Sequence, residues 1–261
     1  MEEGRYLYCI IEEKDPKDFG PLGIGGRGDA LVTVACDDLS CVVSSSPIVK
    51  YRIAREYTMA HYRAIERVME QYAVLPIRFS TIAENDEEIV EKVLRPRRDE
   101  FKRLLHWIAG KECVEVRASW TDMNAVFQGL VQESPSLKAL KTDAAAKPAD
   151  AAYYDRIEIG KIVQTMVKEK RRTLAAQILE TLKPYACETR DNSPKLYADQ
   201  SICNLSFLVE AQRMGEFERA AAELRASLDE GIKWTVNHSV APFDFVTIVI
   251  NLQEVGSVLA G

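Results

Sequence analysis

Residues 74–82 read Val74-Leu75-Pro76-Ile77-Arg78-Phe79-Ser80-Thr81-Ile82. The run is short and apolar, which favours a β-strand, and its proline lies near the start, where the missing backbone N–H does least harm. Successive side chains of a strand point to opposite faces, so one face is predicted to hold Ile77 and Phe79 and the other Arg78. The sequence therefore predicts the central strand of a first domain, with Pro76, Arg78 and Phe79 as a structural motif.

The residues around this strand predict the rest of that domain. Residues rich in Tyr, Ile, Val and Leu predict three strands at 5–11, 30–35 and 39–44. In residues 52–72 apolar side chains recur at steps of three or four, which is typical of a helix with one buried face. A second helix is predicted at about 86–108, kinked or divided at Pro96. Residues 1–109 are predicted to form an N-terminal α+β domain.

The second half of the chain predicts a different arrangement. Its pattern over residues 111–250 reads β-α-α-β-β-α-β, the order of a ferredoxin-like split βαβ unit whose first crossover is elongated. Residues 110–261 are predicted to form this modified ferredoxin-like domain with extended helices, a helical insertion at about 122–184 and a C-terminal tail. The predicted fold class is therefore α+β with two domains.

Composition and charge exclude several classes of partner. The chain has 261 residues, of which 47% are hydrophobic and 28% charged, as in an ordinary globular protein. Its net charge of -6 repels a polyanion at long range, so no nucleic acid partner is expected. No apolar run approaches the ~18 residues that span a bilayer, and no lipid membrane is expected as a partner. Residues 1–12 lack the pattern of a signal peptide, so a cytoplasmic location is expected.

The sequence shows no convincing catalytic, metal or cofactor motif. Six cysteines form no CxxC pair, and none of the three histidines has a ligand-like spacing to a cysteine, so no metal is expected. Residues 23–28 match G-x-G-x-x-G, but the element predicted after them is a strand rather than the required helix, so no nucleotide cofactor is expected. His61, together with Arg55 and Glu56, is interpreted as surface charge. Arg78 in an apolar strand requires a carboxylate, backbone carbonyls or an exposed sheet face, and a structural ion pair with Glu56 or Glu66 is the favoured interpretation.

Several stretches together indicate a family. They are Gly4-Arg5-Tyr6-Leu7-Tyr8-Cys9-Ile10, the segment from Arg55-Glu56 to His61, residues 74–81, Arg156-Ile157-Glu158-Ile159-Gly160-Lys161 and Asn204-Leu205-Ser206-Phe207-Leu208-Val209. In this order and spacing they resemble the gas vesicle protein F/L family (GvpF/GvpL), and the chain leans to the F members. The chain departs from the family at Ser80, where glycine is usual, and more strongly at residues 240–246.

The resemblance implies an accessory or minor structural protein of gas vesicle assembly, without enzyme activity. Its expected partner is the small hydrophobic wall subunit, for which it would act as nucleator, chaperone or minor wall component, with other accessory proteins as further partners. The expected location includes the gas vesicle and its gas-facing surface. The candidate contact segment is residues 243–250, with Phe243, Phe245, Ile248 and Ile250 as its apolar side chains.

Two alternatives stay open at this point. Residues 243–250 could instead form a buried last strand of the second domain. The protein could also be a small-molecule-binding protein or an enzyme that uses a cleft between the two domains near Arg78.

Overall fold

The computed structural model describes residues 2–148, 151–193, 200–238 and 240–252. The described residues divide into two compact units, the first built from 2–113 and 240–252 and the second from 114–238. Residues 240–252 were predicted to belong to the second domain. They instead pair with the first unit, because the backbone N–H of Ile248 donates to the carbonyl of Pro76 over 2.8 Å and the N–H of Arg78 donates to the carbonyl of Ile248 over 3.0 Å.

The first unit is an antiparallel sheet with helices. Its strands are β1 (Glu3–Ile11), β2 (Val32–Cys36), β3 (Leu39–Pro47), β4 (Leu75–Pro76) and β5 (Ile82–Ala83). The strand order is β2-β3-β1-β4, and β5 also pairs with β1. Thus β1 is the central strand, and its residues 6–11 are all fully buried. At its start, Gly4 is required by a close approach, since a Cβ there would lie 2.4 Å from the carbonyl oxygen of Ala83.

The prediction that residues 74–82 form the central strand is wrong. Only Leu75–Pro76 and Ile82–Ala83 pair as strands, and both pair with β1. The strand is interrupted between these two segments, because Ser80 has a φ of 64°, which turns the chain out of the extended conformation.

The helices of the first unit follow the predicted pattern. Helix α1 (Arg55–Met69) buries His61, Ala64, Ile65 and Val68 against the sheet. A helical path then runs from 86 to 108 and is divided as predicted around Pro96. It consists of α2 (Asp86–Ile89), a π-helical turn (Val90–Leu94), a 3-10 turn (Arg95–Arg97) and α3 (Arg98–Ile108). The side chain of Asn85 caps the start of this path by accepting from the N–H of Glu88.

The second unit is a four-stranded sheet with four helices among the residues that the structure describes. Its strands are β6 (Lys111–Trp120), which begins in the first unit, β7 (Glu188–Asp191), β8 (Ser201–Glu210) and β9 (Ile232–Asn237). Its helices are α4 (Met123–Glu133), α5 (Pro135–Ala146), α6 (Tyr153–Leu182) and α7 (Met214–Ser227). The strand order is β7-β8-β6-β9, with β7 antiparallel to β8 and β6 antiparallel to β9.

The core of the second unit is made by alternation along its strands. In β6 the buried residues Val114, Val116, Ala118 and Trp120 share one face of the sheet. They pack with residues of β8 and with the helices, including the ring pair Phe207 and Phe217, whose centroids lie 5.2 Å apart. The chain is therefore a mixed helix and strand protein with two antiparallel sheets, as the predicted α+β class requires.

Candidate functional site

The most distinctive chemistry of the first unit lies on one face of its sheet. Strand β1 contributes Tyr6 and Tyr8, which alternate onto the same face, and α1 contributes His61. Tyr51 and Phe79 complete the group, with ring centroids 5.6 Å and 6.4 Å from that of Tyr6. We call these five residues the aromatic cluster.

The hydrogen bonds of Tyr6 and His61 define which nitrogen of the imidazole carries the proton. The Nε2 atom of His61 lies 3.2 Å from the carbonyl oxygen of Ile77, which can only accept, so Nε2 carries the proton. The Nδ1 atom is then an acceptor, and the hydroxyl of Tyr6 donates to it over 3.1 Å. The oxygen of Tyr6 in turn accepts from the N–H of Ser80 over 2.9 Å. Every polar atom along this path has a partner.

The other two tyrosine hydroxyls pair with serines of β3. Tyr8 accepts from the N–H of Ile24 over 2.7 Å and donates to the hydroxyl of Ser44, 2.9 Å away. The hydroxyls of Tyr51 and Ser46 lie 3.0 Å apart and share a hydrogen bond. Burial raises the pKa of Tyr8 to about 12 and raises the pKa of Tyr6 further. The hydroxyls of Tyr6 and Tyr8 therefore stay protonated at neutral pH.

The interpretation of His61 as surface charge is wrong. Its side chain is 1% exposed, and burial lowers its pKa to about 4, partly offset by the hydrogen bond to the carbonyl of Ile77. The imidazole is neutral at physiological pH because burial among aromatic rings disfavours the charged form. Its ring stacks on that of Tyr8 at a centroid distance of 5.7 Å.

Ser80 occupies a backbone conformation that favours glycine. Its φ of 64° lies in the left-handed region, where the Cβ of an L-residue is strained. The residue is held there by two bonds, since its N–H donates to Tyr6 and its hydroxyl accepts from the N–H of Tyr51 over 3.0 Å. Serine at this position therefore combines a backbone conformation that favours glycine with a hydrogen bond to its side chain.

An apolar rim extends the aromatic cluster to the surface. Phe243 is half-buried, and its ring centroid lies 6.0 Å from that of His61 and 5.0 Å from that of Tyr62. Tyr62 is 41% exposed, and Met59, one turn earlier on α1, is 40% exposed. We call Met59, Tyr62 and Phe243 the apolar rim.

The structure separates the four residues of the predicted contact segment into two pairs. Phe243 and Phe245 lie in a turn and are half-buried, whereas Ile248 and Ile250 are buried. The segment forms no strand of the second unit; its one bridge joins Ile248 to Ile77 of the first unit in parallel. The alternative, that these residues form a buried last strand of the second domain, is therefore wrong. Of the predicted contact residues, the apolar rim contains Phe243; the sequence patterns did not point to its other two members, Tyr62 and Met59.

The predicted motif of Pro76, Arg78 and Phe79 is also divided. Pro76 is buried and Phe79 is half-buried in the aromatic cluster, but Arg78 is exposed. Among the described residues no carboxylate lies within 4.0 Å of its side chain, so the expected ion pair with the preceding helix is wrong. The arginine takes part through its backbone, which pairs with Ile248.

The glycine-rich loop serves the aromatic cluster. The N–H of Ile24 donates to Tyr8, and the next regular element is the strand β2 rather than a helix, as predicted. In the described parts of the chain no group of three or more His, Cys, Asp or Glu side chains is placed to hold a metal ion. No helix of these parts is long and apolar enough to cross a membrane.

The two antiparallel sheets and their helices define a mixed α and β protein. Comparison with known proteins gives the family. Residues 4–247 match the model of the family described as gas vesicle synthesis protein GvpL/GvpF, and the chain belongs to this family. It is a family of gas vesicle proteins rather than of known enzymes, and membership gives the chain a role in gas vesicle formation. The resemblance that the sequence motifs indicated is confirmed.

Individual relatives agree with this assignment. The chain is 23% identical over 250 residues to gas vesicle protein F of Nostoc sp., covering 95% of this chain and 100% of the relative. It is 28% identical over 244 residues to gas vesicle protein F of Streptomyces sp., covering 92% and 98%. The crystal structure of GvpF from Anabaena sp. PCC7120 has the same fold, with a TM-score of 0.80, 22% identity and coverage of 94% of this chain and 99% of that one.

Proposed function

We propose that this protein binds the hydrophobic wall subunit of the gas vesicle through its apolar rim and holds that subunit during assembly. The observation that carries the proposal is the exposure of Tyr62 beside Phe243, with the exposed Met59 one turn earlier on the same helix. Exposed apolar side chains that form one patch indicate an interaction surface more strongly than scattered ones do. Family membership supplies the setting in which such a surface is needed.

The chemistry of the partner fits this surface. A wall subunit must present an apolar face to the gas space, and that face has to be covered before it assembles. A methionine and two aromatic rings suit this task, because methionine adapts to irregular apolar surfaces and aromatic rings bury a large area. Bound in this way, the protein would lie at the gas-facing surface of the growing wall.

The aromatic cluster beneath the rim supports a binding role rather than catalysis. Both ring nitrogens of His61 are occupied by hydrogen bonds, to Tyr6 and to the carbonyl of Ile77, which leaves neither of them to exchange a proton with a substrate. The same bonds fix the base on which Phe243 rests. A fixed surface loses less conformational entropy when it binds, so the affinity is higher for the same contacts.

The test is co-purification of this protein with the wall subunit at about 0.1 M and about 1 M salt, where the Debye length falls from ~10 to ~3 Å. Apolar binding should survive the higher salt. The double variant Met59→Ser, Tyr62→Ser removes two exposed apolar side chains and should weaken binding by about 10-fold or more, since each contributes roughly 1.5–3 kcal/mol when buried.

The matched control is Trp107→Ser, which changes a residue of α3 that is 36% exposed and lies outside the rim. This variant should retain binding. Loss of the complex at high salt would refute the apolar mechanism, and absence of a complex at both salt concentrations would refute the partnership. Equal loss of binding in the control and the rim variant would remove the rim from the proposal.

A further inference from the structure

The second unit contains a groove whose lining residues belong neither to the aromatic cluster nor to the apolar rim. It lies among α4, α5 and α6 and has a volume of about 860 Å³. Its apolar lining includes Met123 and Phe127 of α4 and Val163 and Val167 of α6. Phe127 is 38% exposed although it belongs to this lining, so the groove leaves apolar surface uncovered.

The charge of the groove is opposite to that of the chain. The whole chain has 40 acidic residues against 34 Lys and Arg. Nevertheless, the described residues that line the groove include Lys141, Lys168 and Arg171 and no Asp or Glu. The ammonium groups of Lys141 and Lys168 have no carboxylate within 4.0 Å among the residues that the structure describes. We call this feature the basic groove.

We propose that the basic groove is a docking site for an amphipathic helix of a partner protein, with an apolar stripe flanked by carboxylates. The apolar stripe would cover the exposed ring of Phe127 and its neighbours, and the flanking carboxylates would pair with Lys141 and Lys168. Docking of an amphipathic helix into an apolar groove is a recurring mode of recognition. The site is separate from the apolar rim, so it would bind a second partner.

The length of the groove favours a helix over a compact ligand. Its lining residues on α6 run from Ile159 to Arg171 at helical spacing, which corresponds to about 18 Å along the helix axis, or about three turns. A volume of about 860 Å³ is near the upper end of the 300–1,000 Å³ that small-molecule sites occupy. The cations come from two helices, α5 and α6, so they can pair with charges on both flanks of a docked helix.

The experiment uses the full chain and a fluorescent peptide of about 15 residues, long enough to form a helix. The peptide carries leucines at helical spacing and glutamates on both flanks, and binding is followed by fluorescence anisotropy. A second peptide has the same leucines with lysines in place of the glutamates. The acidic peptide should bind more tightly than the basic one by about 10-fold or more, and its binding should weaken with salt.

Two variants locate the binding. Gly160 lines the groove, and a Cβ added there would have nothing within 4 Å, so Gly160→Leu places an apolar side chain at the groove and also favours the helix. It should weaken binding of the acidic peptide by about 10-fold or more. Lys168→Glu should weaken the acidic peptide and strengthen the basic one, because it reverses one charge of the lining.

The matched control is Gly129→Leu on α4. A Cβ at Gly129 would also have nothing within 4 Å, but this glycine lines a different cavity, so the variant should bind like the parent protein. Failure of the acidic peptide to bind, or equal binding of both peptides, would overturn the proposal. Saturation by one molecule of dodecanoate, blocked by Gly160→Leu, would also overturn it by assigning the groove to a fatty carboxylate.

Discussion

The cores of the two units differ in how they use polar atoms. In the first unit Tyr6 and Tyr8 of β1 and His61 of α1 are buried together, and the polar atoms of their side chains have hydrogen-bond partners. In the second unit the corresponding strands bury almost only apolar side chains, such as Val116, Phe207 and Phe217, and the buried pair of Asn192 and Ser206 is an exception.

This difference predicts which kind of amino-acid substitution destabilises each unit. An apolar core loses stability in proportion to the volume removed from it, and its shape can partly relax. A buried hydrogen-bonded cluster loses stability when a single atom is removed, because the partners left behind stay buried without a hydrogen bond. The stability of the first unit should therefore depend on single hydrogen-bonding atoms, even when a substitution keeps the side-chain volume. The stability of the second unit should depend on the volume of its buried side chains.

The largest expected effect comes from volume in the second unit. Phe207→Ala removes a fully buried ring that packs on Phe217, and it should lower the free energy of unfolding by about 3–5 kcal/mol. Hydrogen exchange measured peptide by peptide should show the loss of protection in β8 and α7. The control Phe127→Ala, at a partly exposed ring, should cost less than about 1 kcal/mol. Equal costs would mean that burial does not set the stability of this unit.

The second effect is the pH dependence that His61 adds to the stability of the first unit. The pKa of His61 is lowered by burial from 6.5 to about 4, so between these values the unfolded chain binds a proton that the folded chain does not. The free energy of unfolding is therefore unaffected by the titration of this group above pH 6.5. It decreases as the pH falls toward 4, by roughly 3 kcal/mol in total.

Denaturant unfolding at several pH values measures this dependence. Carboxylates also titrate in this range, so the contribution of His61 is the difference between the parent protein and His61→Gln. The slope of stability against pH should be smaller in the variant. Identical slopes would show that the imidazole is not neutral and buried as the cluster requires.

The third effect isolates chemistry at constant volume. Tyr6→Phe keeps the ring and removes the hydroxyl that links His61 to the N–H of Ser80. Two buried polar atoms then lack partners, which should cost about 1–3 kcal/mol by chemical denaturation. Tyr153→Phe removes the hydroxyl of an exposed tyrosine and should change stability by less than about 0.5 kcal/mol. A Tyr6 variant as stable as this control would contradict the role of the hydrogen bonds.

The regular elements could be predicted from the sequence because each depends on local pattern. Helix α6, the division at Pro96 and the strand after the glycine loop all follow from periodicity or from single residues. The buried place of His61 was also present in the pattern, since Tyr57, His61, Ala64 and Val68 recur at steps of four, three and four. A polar residue at that position was assigned to the surface by residue type alone.

The features that could not be predicted from the sequence depend on contacts between distant parts of the chain. Residues 243–250 read as a strand because they are apolar and β-prone, but strand propensity does not specify a partner. The structure pairs Ile248 with residues near 77, more than 160 positions earlier. The apolar rim likewise combines Phe243 with two residues of α1, and no local pattern indicates which helix a turn will contact.

The fourth effect tests the strain at Ser80. Ser80→Gly should relieve about 1 kcal/mol of left-handed strain and lose a similar amount with the bond to the N–H of Tyr51, so stability should change little. Ser80→Ala loses the same bond and keeps the strain. The glycine variant should therefore be more stable than the alanine variant by about 1 kcal/mol. If alanine were equal to glycine, the backbone at residue 80 would not be strained.

The smallest effect concerns Arg78, for which the sequence predicted a buried ion pair and a large cost. Its side chain is exposed, and the described residues offer it no carboxylate, so Arg78→Ala should change the free energy of unfolding by less than about 0.5 kcal/mol. Arg98→Ala is the matched comparison, because Arg98 pairs with Asp38 at 2.7 Å at the surface, where an ion pair contributes little to stability. A cost above about 2 kcal/mol for Arg78→Ala, on the scale of a broken buried pair, would restore the original interpretation. An unchanged stability combined with loss of vesicle formation would instead assign the guanidinium group of Arg78 to a contact with a partner.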